Sequence, residues 1–162
     1  MKAAFFGGAK KDITSQEYID SIRIGEILAE AGYIVKNGGY YGLMEAVSKG
    51  SCNAIGYTCK TIGPAKGNEF LAETVVCEDI YDRLRLLIDE TDLYIVQKGG
   101  LGTLAELFLT LDIVRKLKQK PRILLIGEFW KEFMNMASYL MNVGEKEMYI
   151  IIENIEDIND WI

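Results

Sequence analysis

The apolar run Leu93-Tyr94-Ile95-Val96 stops at Gln97-Lys98, crosses Gly99-Gly100 and restarts at helical spacing from Thr103 to Leu117. A run of strand length that ends in glycines and resumes with helical periodicity reads as strand, tight loop, helix. The same passage recurs along the chain. Lys2–Phe6 meets Gly7-Gly8 before a helix over Ser15–Ala31, and Tyr33–Lys36 passes Gly38-Gly39 into a helix over Gly42–Lys49. Strands are expected also at Ala54–Tyr57, Thr74–Cys77, Asp92–Gln97, Arg122–Ile126 and Tyr149–Ile152, with further helices at Glu78–Glu90 and Phe129–Asn142. Strand–helix alternation with few hairpin signals predicts a single α/β domain over residues 1–162, doubly wound, with a mostly parallel sheet and helices on both faces. Such sheets bind ligands at the carboxyl ends of their strands, where the strand order reverses. Three glycine loops at predicted strand ends therefore point to one shared pocket. The longer loop Thr58–Glu69 is a candidate lid.

Composition narrows the chemistry. Hydrophobic residues make up 49% of the 162 and charged residues 26%, an ordinary globular balance. The net charge of −6 offers no general attraction to nucleic acid or an anionic membrane. An anion site must then be built locally, from backbone N–H groups and a few placed cations. The chain contains no histidine, which removes Ser-His and Cys-His nucleophile pairs, histidine metal sites and histidine general bases together. No metal or cofactor is expected. Cys52, Cys59 and Cys77 are odd in number and lack metal-type spacing, as expected of buried, reduced thiols in a cytoplasmic protein. The N-terminal apolar run breaks at Gly7-Gly8, too short for a signal peptide or a membrane span.

Three segments could carry a site. In Lys98–Glu106, Gly99 and Gly100 permit close approach of a ligand, while Gly102 and Thr103 offer N–H groups and a hydroxyl at a helix start, where the macrodipole favours an anion. Glu106 lies one turn on. Thr103-x-x-Glu106 is equally the pattern of a capping box, in which the carboxylate only binds the helix start. Thr14-Ser15-Gln16-Glu17 repeats that pattern and is read as a cap. The loop Asn37–Glu45 contributes Gly38, Gly39, Gly42 and Met44, with Glu45 as a first-turn acid. The helix bearing Ile80, Leu84, Leu87 and Ile88 places Arg83 at the margin of its apolar stripe. There it either snorkels to water or forms a fork for phosphate or carboxylate. The helix Thr103–Leu117 is apolar around most of its circumference, which predicts a homodimer interface as its second burial surface.

Taken together, Lys98–Glu106, Asp82-Arg83-Leu84 and Gly38–Met44 resemble three linked marks of the Lonely Guy (LOG) family, once labelled "possible lysine decarboxylase". These are a P-G-G-x-G-T-x-x-E loop, a helix with an E-R-K-type arginine and a G-G-x-x-G-L-M-type loop. Lys98 stands in place of the proline, Leu84 of the lysine, Asp82 of the acid, and Glu45 of the glycine found after Leu-Met in many members. The loop Gly7-Gly8-Ala9-Lys10 lacks the family's serines. The resemblance implies a Rossmann-like homodimer that hydrolyses a nucleoside 5′-monophosphate, AMP or a cytokinin-type nucleotide, to free base and ribose 5-phosphate. By position it implies Glu106 as catalytic carboxylate, Arg83 as its partner, and Gly99, Gly100, Gly102, Thr103 and Lys98, with Gly7 and Gly8, at the phosphate. Molybdenum-cofactor carrier proteins resemble the same group, so the alternative is a non-catalytic nucleotide or molybdenum-cofactor binder. Lysine decarboxylation itself is not expected. The chain is short for a pyridoxal-phosphate decarboxylase and has no histidine to stack on that cofactor.

Overall fold

The computed structural model describes residues 1–117, 121–141 and 148–162. Seven parallel strands form one sheet: β1 (Lys2–Phe6), β2 (Ile34–Asn37), β3 (Ile55–Cys59), β4 (Glu73–Cys77), β5 (Leu93–Val96), β6 (Arg122–Ile126) and β7 (Ile150–Ile152), in the spatial order β4-β3-β2-β1-β5-β6-β7. Five helices connect them: α1 (Gln16–Glu30), α2 (Leu43–Ser51), α3 (Ile80–Ile88), α4 (Leu101–Leu117) and α5 (Phe129–Met141). The expected doubly wound α/β architecture is present. Element ends shift by a few residues, and the residue expected to end the fifth helix, Asn142, lies outside the described residues. A 3₁₀ turn over Ile155–Asp160 was not foreseen. Its polar sequence shows no helical period, and it forms because Ile158 is drawn fully into the core.

The two faces follow from alternation along the strands. Ala3, Phe5, Leu93, Ile95, Leu124 and Ile126 point to the side covered by α1 and α2. Ala4, Phe6, Tyr94, Val96, Ile123 and Leu125 point to the side where Leu87, Leu107, Leu111 and Trp130 bring in α3, α4 and α5. Right-handed crossovers require this division. The chain winds one way from β1 to β4 with α1 and α2 on one face, then returns through α3 past β1 to β5, β6 and β7 with its helices on the other. The order therefore reverses between β1 and β5, and the loops at their carboxyl ends diverge.

On the first face, α1 and α2 approach through glycine. A methyl group at Gly50 would stand 1.9 Å from the Ile22 carbonyl oxygen, and one at Gly25 would stand 2.4 Å from that of Val47. These are backbone contacts that cannot swing aside. On the second face the fully buried Lys36 donates from Nζ to the Asp89 carbonyl (2.6 Å) and Thr91 Oγ1 (2.9 Å) at the end of α3. Burial lowers its pKa to about 8. Cys59 and Cys77 are buried side by side on β3 and β4, whereas Cys52, expected to be buried, is exposed at the end of α2. Gly50→Ala should destabilise the fold by about 1–3 kcal/mol, because overpacking against a fixed carbonyl forces α1 and α2 apart. Chemical denaturation with an unchanged midpoint would refute that contact.

Candidate functional site

The glycines expected at strand ends all lie along the carboxyl edge of the sheet, where two neighbouring clusters form. The first is at the β1/β5 reversal. Gly8, Lys10, Glu17, Lys98, Gly99 and Gly100 line a cavity of about 540 Å³, with Ala9, Asp12, Ser15 and Leu43 completing its wall. Backbone hydrogen bonds fix its walls: Gly8 N–H donates to Lys98 O (3.0 Å), and Leu43 N–H to Gly8 O (2.9 Å). Gly42 holds φ at +69°, and a Cβ there would meet Gly8 O at 2.6 Å, so the β1–α1 loop lies directly on the start of α2. Gly7 is hemmed in by Phe5 and Leu43. Lys11 Nζ, 2.7 Å from Glu45 Oε1, ties the loop to α2 again. Glu45, read as a first-turn acid, does lie in the first turn of α2, but it is buried and has this specific partner.

The second cluster surrounds Arg83. It does not snorkel; only 7% of the residue is exposed. Its Nε donates to Tyr57 O on β3 (2.8 Å), and its Nη1 reaches Glu106 Oε1 at 3.4 Å. The Tyr40 ring lies 5.7 Å from its guanidinium carbon. Gly38 leaves room for both neighbours, since a Cβ would come within 1.9 Å of Arg83 Nη2 and 2.8 Å of Met44 Sδ and would make one of these side chains shift. Gly39, at φ +78°, faces Thr58, and its carbonyl accepts from Asn68 N–H (2.8 Å). Asn68 Nδ2 also donates to Tyr40 O (2.8 Å), so the expected lid segment is pinned to the Gly38–Gly42 loop. Tyr40 Oη accepts from Cys59 N–H (2.9 Å). Neither Tyr40 nor Asn68 was singled out in the sequence, although an aromatic residue set between glycines was a usable signal for Tyr40.

The first turn of α4 joins the clusters. A Cβ at Gly99 would collide with Thr103 Oγ1 at 2.1 Å, and Glu106 follows Thr103 by one turn. Gly100 and Gly102 face open space. Because α4 already begins at Leu101, Thr103 is a helical residue and cannot be the cap of a Thr-x-x-Glu box. Glu106 is turned instead to Arg83. The earlier Thr14–Glu17 pattern also shifts: Ser15 is the cap of α1, accepting from Tyr18 N–H at 3.3 Å. Burial raises the Glu106 pKa to about 7, with the Arg83 charge opposing the rise. The arrangement offers a cavity walled by glycine loops and two lysines, large enough for a small-molecule ligand, and beside it a buried carboxylate poised near neutrality. Among the described residues, no group of three or more acidic or thiol side chains could hold a metal, and no helix is long and apolar enough to cross a membrane.

Residues 35–160 match the family model described as "Possible lysine decarboxylase". A cytokinin riboside 5′-monophosphate phosphoribohydrolase of Mycobacterium marinum is 26% identical over 150 residues, covering 83% of this chain and 79% of the relative. A molybdenum cofactor binding protein from Rippkaea orientalis superposes with a TM-score of 0.76 at 20% identity, covering 99% of this chain and 93% of the other. The molybdenum cofactor carrier protein of Chlamydomonas reinhardtii gives 0.73 at 18%, covering 99% and 94%.

A carboxyl with a raised folded-state pKa favours folding in its protonated form. That contribution is full below about pH 4.5 and is lost as pH rises through about 7. Glu106→Gln, which does not titrate, should therefore gain stability relative to the wild type between pH 5 and pH 8, by up to about 3 kcal/mol. Urea midpoints at the two pH values measure this, and a constant difference would mean an ordinary carboxylate at this position.

Proposed function

The chain belongs to the family described as possible lysine decarboxylase, the LOG group, and we propose that it hydrolyses the N-glycosidic bond of a nucleoside 5′-monophosphate, releasing free base and ribose 5-phosphate. The observation that carries this reading is the buried Arg83–Glu106 pair, with Glu106 less than two helical turns beyond the loop that lines the cavity. The relatives named as phosphoribohydrolases support the class of reaction, and the substrate taken here is AMP or a cytokinin-type nucleotide.

In this proposal the 5′-phosphate binds at Lys98, Gly99, Gly100, Gly102 and Thr103, with Gly7 and Gly8 opposite. Backbone N–H groups at the head of α4 and the Lys98 ammonium supply the donors. Gly38, Gly39, Gly42 and Met44 shape the neighbouring wall. As the C1′–N bond breaks, positive charge develops on the ribose, and the Glu106 carboxylate stabilises it while drawing a proton from the attacking water. The water oxygen bonds to C1′, and the proton taken by Glu106 is returned to the departing base nitrogen, which leaves the carboxylate ionised again. Arg83 orients Glu106 and keeps a fraction of it ionised at neutral pH despite its burial. Decarboxylation of lysine has no support here, since no histidine is present to stack on pyridoxal phosphate.

A second reading rests on a different observation. Neither Arg83 nor Glu106 lines the 540 Å³ cavity. A non-catalytic binder of a phosphate-bearing ligand, a nucleotide or the molybdenum cofactor as cargo, would need the cavity alone.

We also propose a homodimer formed through α4. Leu107, Leu111 and Val114 cover the sheet, while Leu101 is 87% exposed and Leu109 37% on the outer side, beside exposed Ala105. Leu109→Glu should convert the dimer to monomer in sedimentation experiments, and an unchanged mass would exclude this face.

With AMP and isopentenyl-AMP offered to the wild type, chromatography should detect free base, increasing from pH 6 to pH 8 as Glu106 ionises. Glu106→Gln should lower the rate at least ~100-fold. A thermal shift with each nucleotide but no base from any of them would establish the binder instead.

A further inference from the structure

One charged residue on the cavity wall, Glu17, has no part in the proposed hydrolysis. Glu17 is the second residue of α1, and its Oε1 lies 3.2 Å from Lys98 Nζ, across the cavity that both residues line. The backbone N–H of Glu17 itself, followed by the Lys98 ammonium, holds this carboxyl below the ordinary value, so it is ionised at neutral pH. A helix N-terminal amide and a lysine ammonium are the donors that an incoming phosphate would use. Here the lysine ammonium is already directed at a carboxylate supplied by the chain. The other acid on the wall, Asp12, is engaged elsewhere, accepting from Thr14 N–H and Thr14 Oγ1. Lys98 also stacks over the Phe129 ring, at 5.8 Å, which limits where its ammonium can go.

We propose that Glu17 is an internal competitor for the anion subsite: its carboxylate occupies Lys98 in the free protein, and a phosphate-bearing ligand binds by displacing it. The inference rests on the reading of this cavity as the phosphate site, but not on hydrolysis. It assigns Glu17 a role in selectivity. A ligand must interact with Lys98 better than a carboxylate does, which favours a phosphate monoester dianion over ligands carrying a single charge. Nothing enters the cavity through net charge, because the protein is acidic overall. Discrimination is set within the cavity.

Calorimetric titration of the whole protein with inorganic phosphate and with ribose 5-phosphate tests this. The Lys98–Glu17 pair is partly exposed, so its loss changes affinity modestly. Glu17→Gln should tighten phosphate binding about three- to fivefold, the range of an exposed ion pair. Asp12→Asn, which removes the same charge from the same wall, should change it less than about twofold. Lys98→Met should weaken binding and abolish the gain from Glu17→Gln in the double variant. A purely structural role for Glu17 predicts unchanged or weaker binding on Glu17→Gln, and that result overturns the proposal. Equal gains from Asp12→Asn and Glu17→Gln overturn it too, by assigning the effect to the general field. Undetectable phosphate binding in every variant removes the site altogether. If the Glu17 effect is present but no nucleotide yields free base, the competitor stands and the hydrolase reading falls.

Discussion

The reversal of winding between β1 and β5 is the constraint on which the rest of this molecule depends. Right-handed crossovers leave α1 and α2 on one face and α3, α4 and α5 on the other, so the loops leaving β1 and β5 part instead of running together. The cavity occupies that gap. Its position is a matter of topology, and side chains only furnish it. Every helix starts at that edge because every strand runs the same way, and the starts of α1, α2 and α4 follow the loops that gather around the gap.

Electrostatics at that edge is arranged pairwise. Lys11 is matched to Glu45, Lys98 to Glu17 and Arg83 to Glu106, each pair joining two different loops or helices around the strand ends. Their burial differs, and their consequences follow it. The Lys98 pair is open to water and can exchange its carboxylate for a ligand at small cost. The Arg83 pair is enclosed, so desolvation governs it. Burial pushes Glu106 toward neutrality, while the guanidinium keeps an ionised form within reach. A carboxylate in that condition can accept a proton near pH 7, which an exposed glutamate does poorly.

The secondary structure was legible because period and punctuation agreed. Apolar strands ended at Gly7-Gly8, Gly38-Gly39 and Gly99-Gly100, and each glycine pair does mark the carboxyl edge. The failures were local and physical. The 3₁₀ turn Ile155–Asp160 has one buried apolar residue, too few for a period. The capping box at Thr103 failed because α4 begins two residues earlier, and the cap of α1 fell on Ser15 instead of Thr14. Gly25 and Gly50 gave no signal, since a glycine in a helix looks like a weakness until another backbone is found against it. A lysine in a strand is no signal of burial, yet Lys36 is buried, its ammonium donating to the Asp89 carbonyl and Thr91 Oγ1 just past α3.

The sequence by itself determined the fold class, the edge on which the glycine loops gather, and the residue types present there. Those properties depend on periodicity, glycine placement and the absence of histidine, all of which are local or compositional. Only the tertiary structure decided between the two readings of Arg83, because snorkelling and forking differ in what lies 3 Å away and not in helix position. It also turned Glu106 from a possible cap into the partner of a buried guanidinium, and moved Glu17 from an N-terminal helix acid to a carboxylate facing Lys98 across a cavity. Glu17 and Lys98 are 81 residues apart in the chain, and Arg83 and Glu106 are 23 apart. Pairings at that range are set by how the sheet winds, and no local pattern encodes them.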